Sequence, residues 1–155
     1  MPETSARAML YLDDLQVGQR CVSGEARITA EQIKSFAVEF DPQPFHLDEA
    51  AATGTFFRGL AASGWHTAAL TMRLKVESGL PLAGGVLGMG VELAWNTPTR
   101  PGDILHVESE VQEVTPSKTR SDRGVVVVLS KTINQRGEVV QTTKANLLVF
   151  RKPAV

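Results

Sequence analysis

A single cysteine, Cys21, is all that 155 residues provide, which excludes an intrachain disulfide and a cysteine-built zinc site. The thiol falls in a segment that reads as strand, where a buried and inert side chain is expected. Charge of one sign is missing as well, since sixteen basic residues stand against seventeen acidic ones. No global field draws nucleic acid or an anionic membrane surface, so neither is an expected partner. An anionic ligand has to be held by a local cluster. Nor is there a long apolar run: residues 76–92 are poor in charge, yet glutamate, proline and repeated glycine interrupt them, and no membrane span is expected. The opening MPETSARAML has no apolar core and no cleavage signature, so the expected location is cytoplasmic. Internal repeats, low-complexity tracts and dividing linkers are absent too. With 43% hydrophobic and 21% charged residues, the expectation is one folded domain over 1–155 with residues 1–10 frayed.

What is present begins with YLDDLQVGQ, which reads as a turn leading into a strand over 20–27. Thr29 and Gln32 form a capping-box pattern. Behind it Ile33, Phe36, Ala37 and Phe40 recur at helical spacing, predicting a helix to residue 40 that Pro42 and Pro44 prevent from continuing. Asp48 can cap a short helix through residue 52. The segment SGWHTAALTMRLKVESG predicts a helix of roughly 20 Å between Ser63 and Gly79, with apolar residues around most of its circumference. A helix of that kind is expected to be buried on more than one side. Strands follow at 85–95, 104–114, 125–134 and 138–150, joined by RPGD, SDRG and NQRG turns. The order implies an α+β architecture: a curved antiparallel sheet with the long helix covering one face.

Chemistry concentrates in FDPQPFHLD, where Asp41 and His46 stand five positions apart with two prolines between them. Proline stiffens such a loop, and stiffness helps where two proton-transfer groups serve one atom. A fully extended path would separate the two by roughly 15 Å, so the loop must bend back if they share a water molecule. Spacing alone leaves open that Asp41 only terminates a helix and that His46 is a half-buried ring. Asp48 is explained by its capping role, and metal binding is not expected because no second histidine or cysteine lies at ligand spacing. Ser63 and Gly64 open the long helix, where free N–H groups suit an oxyanion and glycine admits a close approach; ordinary helix-start chemistry explains them equally. His66 can face either a site or the sheet, and His106 reads as a solvated strand residue beside Glu108 and Glu110. No G-x-S-x-G elbow or phosphate-cradling glycine loop occurs.

FDPQPFHLDEAAA, GLAASGWHTAALTMRL and PTRPGDILHVESEV together resemble the MaoC-like dehydratase family, whose best-known activity is (R)-specific enoyl-CoA hydratase. The resemblance runs from YLDDLQVGQ to the final strand. It implies the hot-dog fold, a curved antiparallel sheet wrapped around a long helix, paired into a homodimer or higher homo-oligomer. It also implies a hydratase or dehydratase acting on an acyl-CoA-type substrate, with CoA or an acyl carrier as part of that substrate and no separate cofactor. The family's D-x(4)-H catalytic pair falls on Asp41 and His46, and its oxyanion glycine on Gly64 with Ser63 beside it. Trp65 and His66 follow as large residues that would narrow the acyl pocket. Two departures stand out. Gln43 occupies the place of the usual asparagine, with Pro42 extra, and Met72 occupies the place of a helix serine that hydrogen-bonds the aspartate. A thioesterase of the same fold and a non-catalytic acyl-binding module remain as alternatives. Arg58, Lys118, Arg120 and Arg123 are available for CoA phosphates, though solvated surface charge explains each.

Overall fold

A computed structural model describes residues 7–154. Strands β1 (Arg20–Val22) and β2 (Ala26–Arg27) precede helices α1 (Ala30–Phe40), α2 (Pro44–Leu47), α3 (Glu49–Ala52) and α4 (Gly64–Ser78), and strands β3 (Leu87–Trp95), β4 (Ile104–Pro116), β5 (Arg123–Ile133) and β6 (Val139–Phe150) follow. The six strands form one antiparallel sheet in the order β1-β4-β5-β6-β3, with β2 also beside β4. Three consecutive strands, β4, β5 and β6, make the expected meander. The chain reaches β3 before it but lays β3 against β6 at the far edge.

Local chemistry sets the helix ends. Thr29 Oγ1 accepts from the Gln32 N–H at 3.2 Å, and the Gln32 side chain accepts from the Thr29 N–H at 2.9 Å, the reciprocal pair of a capping box. Asp48 caps α3 through the Ala51 N–H at 2.9 Å, and Ser63 caps α4 through the Trp65 N–H at 3.3 Å. Helix α1 ends at Phe40, before Pro42 and Pro44, as expected, and Pro44 has a second role. It opens α2 at a first-turn position, where its missing N–H is no loss.

Alternation along β4 sends Leu105, Val107 and Val111 inward, where all three are buried. They meet two apolar clusters. One joins Leu70 and Leu74 of α4 to Ile28, Ile33, Leu105, Val107 and Val140. The other joins Leu12 and Leu82 to Val111, Val126, Leu147 and Val149 near the opposite end.

Four expectations need correction. Residues 1–6 lie outside the described residues, but 7–10 are not frayed: the Leu10 N–H donates to Pro81 O at 2.8 Å and Leu10 O accepts from Ala83 N. The strand over 20–27 is interrupted, because the Ser23 hydroxyl and N–H turn onto Val107 backbone groups between β1 and β2. Cys21 is half-buried, not buried. Finally, α4 buries one face only, through Thr67, Leu70, Thr71 and Leu74. Trp65 and Met72 stay 62% and 42% exposed, because the sheet curls over one flank and β3 leaves the other open.

Candidate active site

The loop after α1 does bend back. Asp41 ends α1 with its N–H on Ala37 O, and the His46 N–H closes onto Gln43 O at 2.9 Å, so α2 begins at once and shortens the path. His46 Nε2 lies 3.2 Å from Asp41 Oδ2. Both side chains line a cavity of about 610 Å³ whose wall includes Gly64 and Trp65 of α4, Phe45, Phe57 and Trp95. The bend replaces the roughly 15 Å of a fully extended path with a separation of 3.2 Å.

Each member is held from behind. The His46 ring is 4% exposed, and its Nδ1 stands 2.6 Å from Ala61 O. A carbonyl can only accept, so Nδ1 donates to Ala61 O, which leaves Nε2 turned toward Asp41. Ala61 is fixed in turn by its N–H on Phe45 O at 3.0 Å. The neighbouring segment is braced by the Arg100 guanidinium, which donates to the carbonyls of Phe57, Gly59 and Leu60. Arg58, in the middle of that segment, sits at φ 56°, a left-handed conformation that a non-glycine residue adopts only where surrounding contacts impose it.

Asp41 is surrounded by donors. Gln43 Nε2 donates to Oδ1 at 2.5 Å. Burial pushes the Asp41 carboxyl up, but hydrogen bonding from Gln43 and Ser63 and the charge of His46 together outweigh it and hold the group below the ordinary carboxylate range. A carboxylate is thereby kept ionised beside the His46 ring nitrogen.

Gly64 opens α4 on the cavity wall. Among the described residues no acceptor meets its N–H, which leaves a helix N-terminal donor free for an incoming carbonyl. The absence of a side chain is required by a neighbour: a Cβ built on Gly64 collides with the Trp95 indole. Trp95 Nε1 donates to Gln141 Oε1 at 3.0 Å, and Gln141 Nε2 donates to Thr71 Oγ1 at 3.3 Å. The helix start, the end of β3 and the buried part of β6 are therefore tied together.

Of the remaining residues singled out in the sequence, Trp65 lines the cavity, in edge contact with Trp95 at 5.1 Å between centroids. His66 does not. It points under α1 and stacks on Phe36 at 4.6 Å and 6°, where burial and the charge of Arg73 push its pKa down. Successive residues of α4 turn by about 100° about its axis, which sends His66 toward α1 while Trp65 stays on the cavity side. Ser63 is fully buried and lies beneath the cavity, not on its wall. Met72 is also absent from this wall and faces the groove between α4 and β3. Arg123 is engaged by Asp122 through Nε at 3.0 Å and Nη2 at 3.1 Å. Arg100, Phe57 and Trp95 were not legible as site residues. A tryptophan closing an otherwise solvent-facing strand is the one signal that could have drawn notice to Trp95.

A family model described as a MaoC-like domain matches residues 15–135. The chain belongs to the MaoC-like dehydratase family, and its fold is the hot dog. The crystal structure of a MaoC-like dehydratase from Rhodospirillum rubrum is 62% identical and superimposes with a TM-score of 0.92, covering 94% of this chain and 99% of that one. The uncharacterized protein YdeM of Bacillus subtilis is 33% identical over 92% of this chain and 100% of its own length. The 3-hydroxybutyryl-CoA dehydratase of Methylorubrum extorquens is 33% identical over 73% of this chain and 71% of its own.

Proposed function

We propose that this protein hydrates, or in reverse dehydrates, a small enoyl thioester carried on CoA or an acyl carrier. The observation that carries this reading is the convergence of Asp41, His46 and the unpartnered Gly64 N–H on one cavity. A thioester carbonyl hydrogen-bonded to that N–H would gain stabilisation as enolate charge develops on its oxygen, an effect for which one donor is worth about 3–4 kcal/mol. Water held by Asp41 and His46 adds through its oxygen at Cβ while the carbon–carbon π electrons move toward the thioester. One proton passes from the water to the pair, and one is delivered to Cα. The two groups act as a unit. The relative from Methylorubrum extorquens, named for dehydration of a 3-hydroxybutyryl-CoA, supports this reaction class.

Crotonyl-CoA tests the proposal directly. Hydration bleaches the enoyl-thioester absorbance without releasing thiol. Release of free thiol would replace the proposal with a thioesterase, and neither signal on any short enoyl thioester would leave a binding module.

The same reading includes a homodimer. Strand β3 pairs on one side only, and Met89 and Val91 on it are 55% and 60% exposed. A long apolar edge of this kind invites another strand, and the bare flank of α4 lies across the groove from it. A second copy would cover both. Sedimentation at micromolar concentration is expected to show a dimer, and Val91→Lys to shift it toward monomer. A wild-type chain that sediments only as monomer would remove the dimer from the proposal.

A further inference from the structure

We propose that the concave site between α1, α4 and β2 binds a phosphate group, as free phosphate or as the phosphate of a larger ligand. The site is separate from the catalytic cavity, with which it shares no wall residue, and the inference does not rest on the hydratase reading.

Three elements bring hydrogen-bond donors to one place. Along α4, His66, Leu70 and Arg73 follow at steps of four and three residues, so they share one face of the helix and line the site together. Gln32 and Ser35, three residues apart on α1, stand opposite, and Arg27 enters from the end of β2. The cavity has a volume of about 240 Å³, below the roughly 300–1,000 Å³ of pockets that enclose a drug-sized ligand. A phosphate group suits it and a whole nucleotide does not.

The chemistry of the wall points to an anion. Both guanidinium groups carry a planar fork of donors that matches phosphate oxygens, and among the described residues no carboxylate lines the cavity. Arg73 has a loose Nε contact with Glu77 Oε1 at 3.8 Å, with side chains 55% and 61% exposed, a pair worth little. Gln32 is already oriented. Its Oε1 accepts the Thr29 N–H at 2.9 Å in the capping box, which leaves its amide N–H groups to donate. Ser35 adds a hydroxyl. Ile28 and Leu70 form a buried apolar floor, and beside such a surface charges act more strongly than in open water. Two like charges gathered there repel, and a net charge of −1 supplies no general excess of cations to explain their meeting. An oxyanion between them turns repulsion into attraction. The His66 ring, stacked on Phe36 at 4.6 Å, completes the wall, and its Nδ1 has no hydrogen-bond partner among the described residues. It also serves as a reporter. Burial and the charge of Arg73 oppose its protonation, and an anion beside Arg73 relieves the second of these.

The experiment titrates the intact protein with inorganic phosphate at constant ionic strength, with chloride exchanged for phosphate, and follows it by calorimetry and by the NMR signals of the His66 ring across pH. Expected are saturable binding, an upward shift of the His66 titration, and affinity lowered at least about tenfold in Arg27→Gln and in Arg73→Gln, as loss of a charged hydrogen bond implies. Arg120→Gln, outside the cavity, should bind as the wild type does. Competition then identifies the source. Displacement by CoA but not by dephospho-CoA assigns the site to the ribose phosphate of CoA, equal displacement by both to its diphosphate, and displacement by neither to free phosphate or a different ester. A response that never saturates overturns the proposal. So does saturable binding that leaves the His66 titration unmoved or that both arginine variants retain, since the anion then sits elsewhere. Should one arginine variant not fold, the other and the His66 signal decide.

Discussion

Asp41→Asn and His46→Gln are each expected to lower kcat on an enoyl thioester by at least about two orders of magnitude, within the range that positioned acid–base groups contribute. The substitutions are chosen to preserve shape. Asparagine keeps an oxygen for Gln43 to donate to, yet it has no negative charge and cannot take a proton. Glutamine at 46 can still donate to Ala61 O, the partner that holds the ring at 2.6 Å, but it offers no nitrogen able to exchange a proton with Asp41 across 3.2 Å. Groups that act as a unit are not additive, so the double variant is expected to be little worse than the more damaged single one. The comparison requires unchanged melting behaviour, because His46 is buried and its loss could loosen α2. Near-normal turnover in both single variants would remove the pair from the mechanism and with it the hydratase proposal.

How much of this was visible in the residues follows from how local each signal is. Helices α1, α3 and α4 announce themselves through Thr29, Asp48 and Ser63, each bonding within three residues of itself, and inward alternation along β4 is equally local. The Asp41–His46 pair was legible as a spacing, and its convergence depended on α2, a four-residue helix too short to carry a periodic signal. Contacts between distant segments left no such trace. Nothing near Arg100 in the sequence shows that its guanidinium braces three carbonyls some forty residues earlier. The facing of His66 could have been read more closely: Thr67, Leu70, Thr71 and Leu74 mark the buried stripe of α4, and position 66 falls beside that stripe, not on the cavity side with 64 and 65. The flank of α4 that stays bare has the composition of a buried surface, which is why the sequence implied burial on several sides that a single chain does not supply.

Gly64→Ala is expected to be the other strongly damaging change, and its cause can be separated into two parts. The added methyl has no room, because the Trp95 ring occupies its place. Either the indole moves, releasing the Trp95–Gln141–Thr71 hydrogen bonds, or the first turn of α4 moves and carries the Gly64 N–H out of line. Overpacking of this kind costs about 1–3 kcal/mol of stability, and a misplaced oxyanion donor costs about 10²–10³ in kcat. Trp95→Ala opens the space, so Gly64→Ala/Trp95→Ala should recover stability relative to Gly64→Ala alone, a coupling readable in a double-mutant cycle. The N–H itself survives in alanine. If the helix start relaxes back once the indole is gone, the double variant should regain a large part of the lost kcat, measured well below its melting temperature. Recovery of stability without any recovery of kcat would mean that turnover depends on Trp95 as cavity wall, and not on where the Gly64 N–H points. A Gly64→Ala variant with wild-type kcat would show that the amide at the head of α4 takes no part in the reaction.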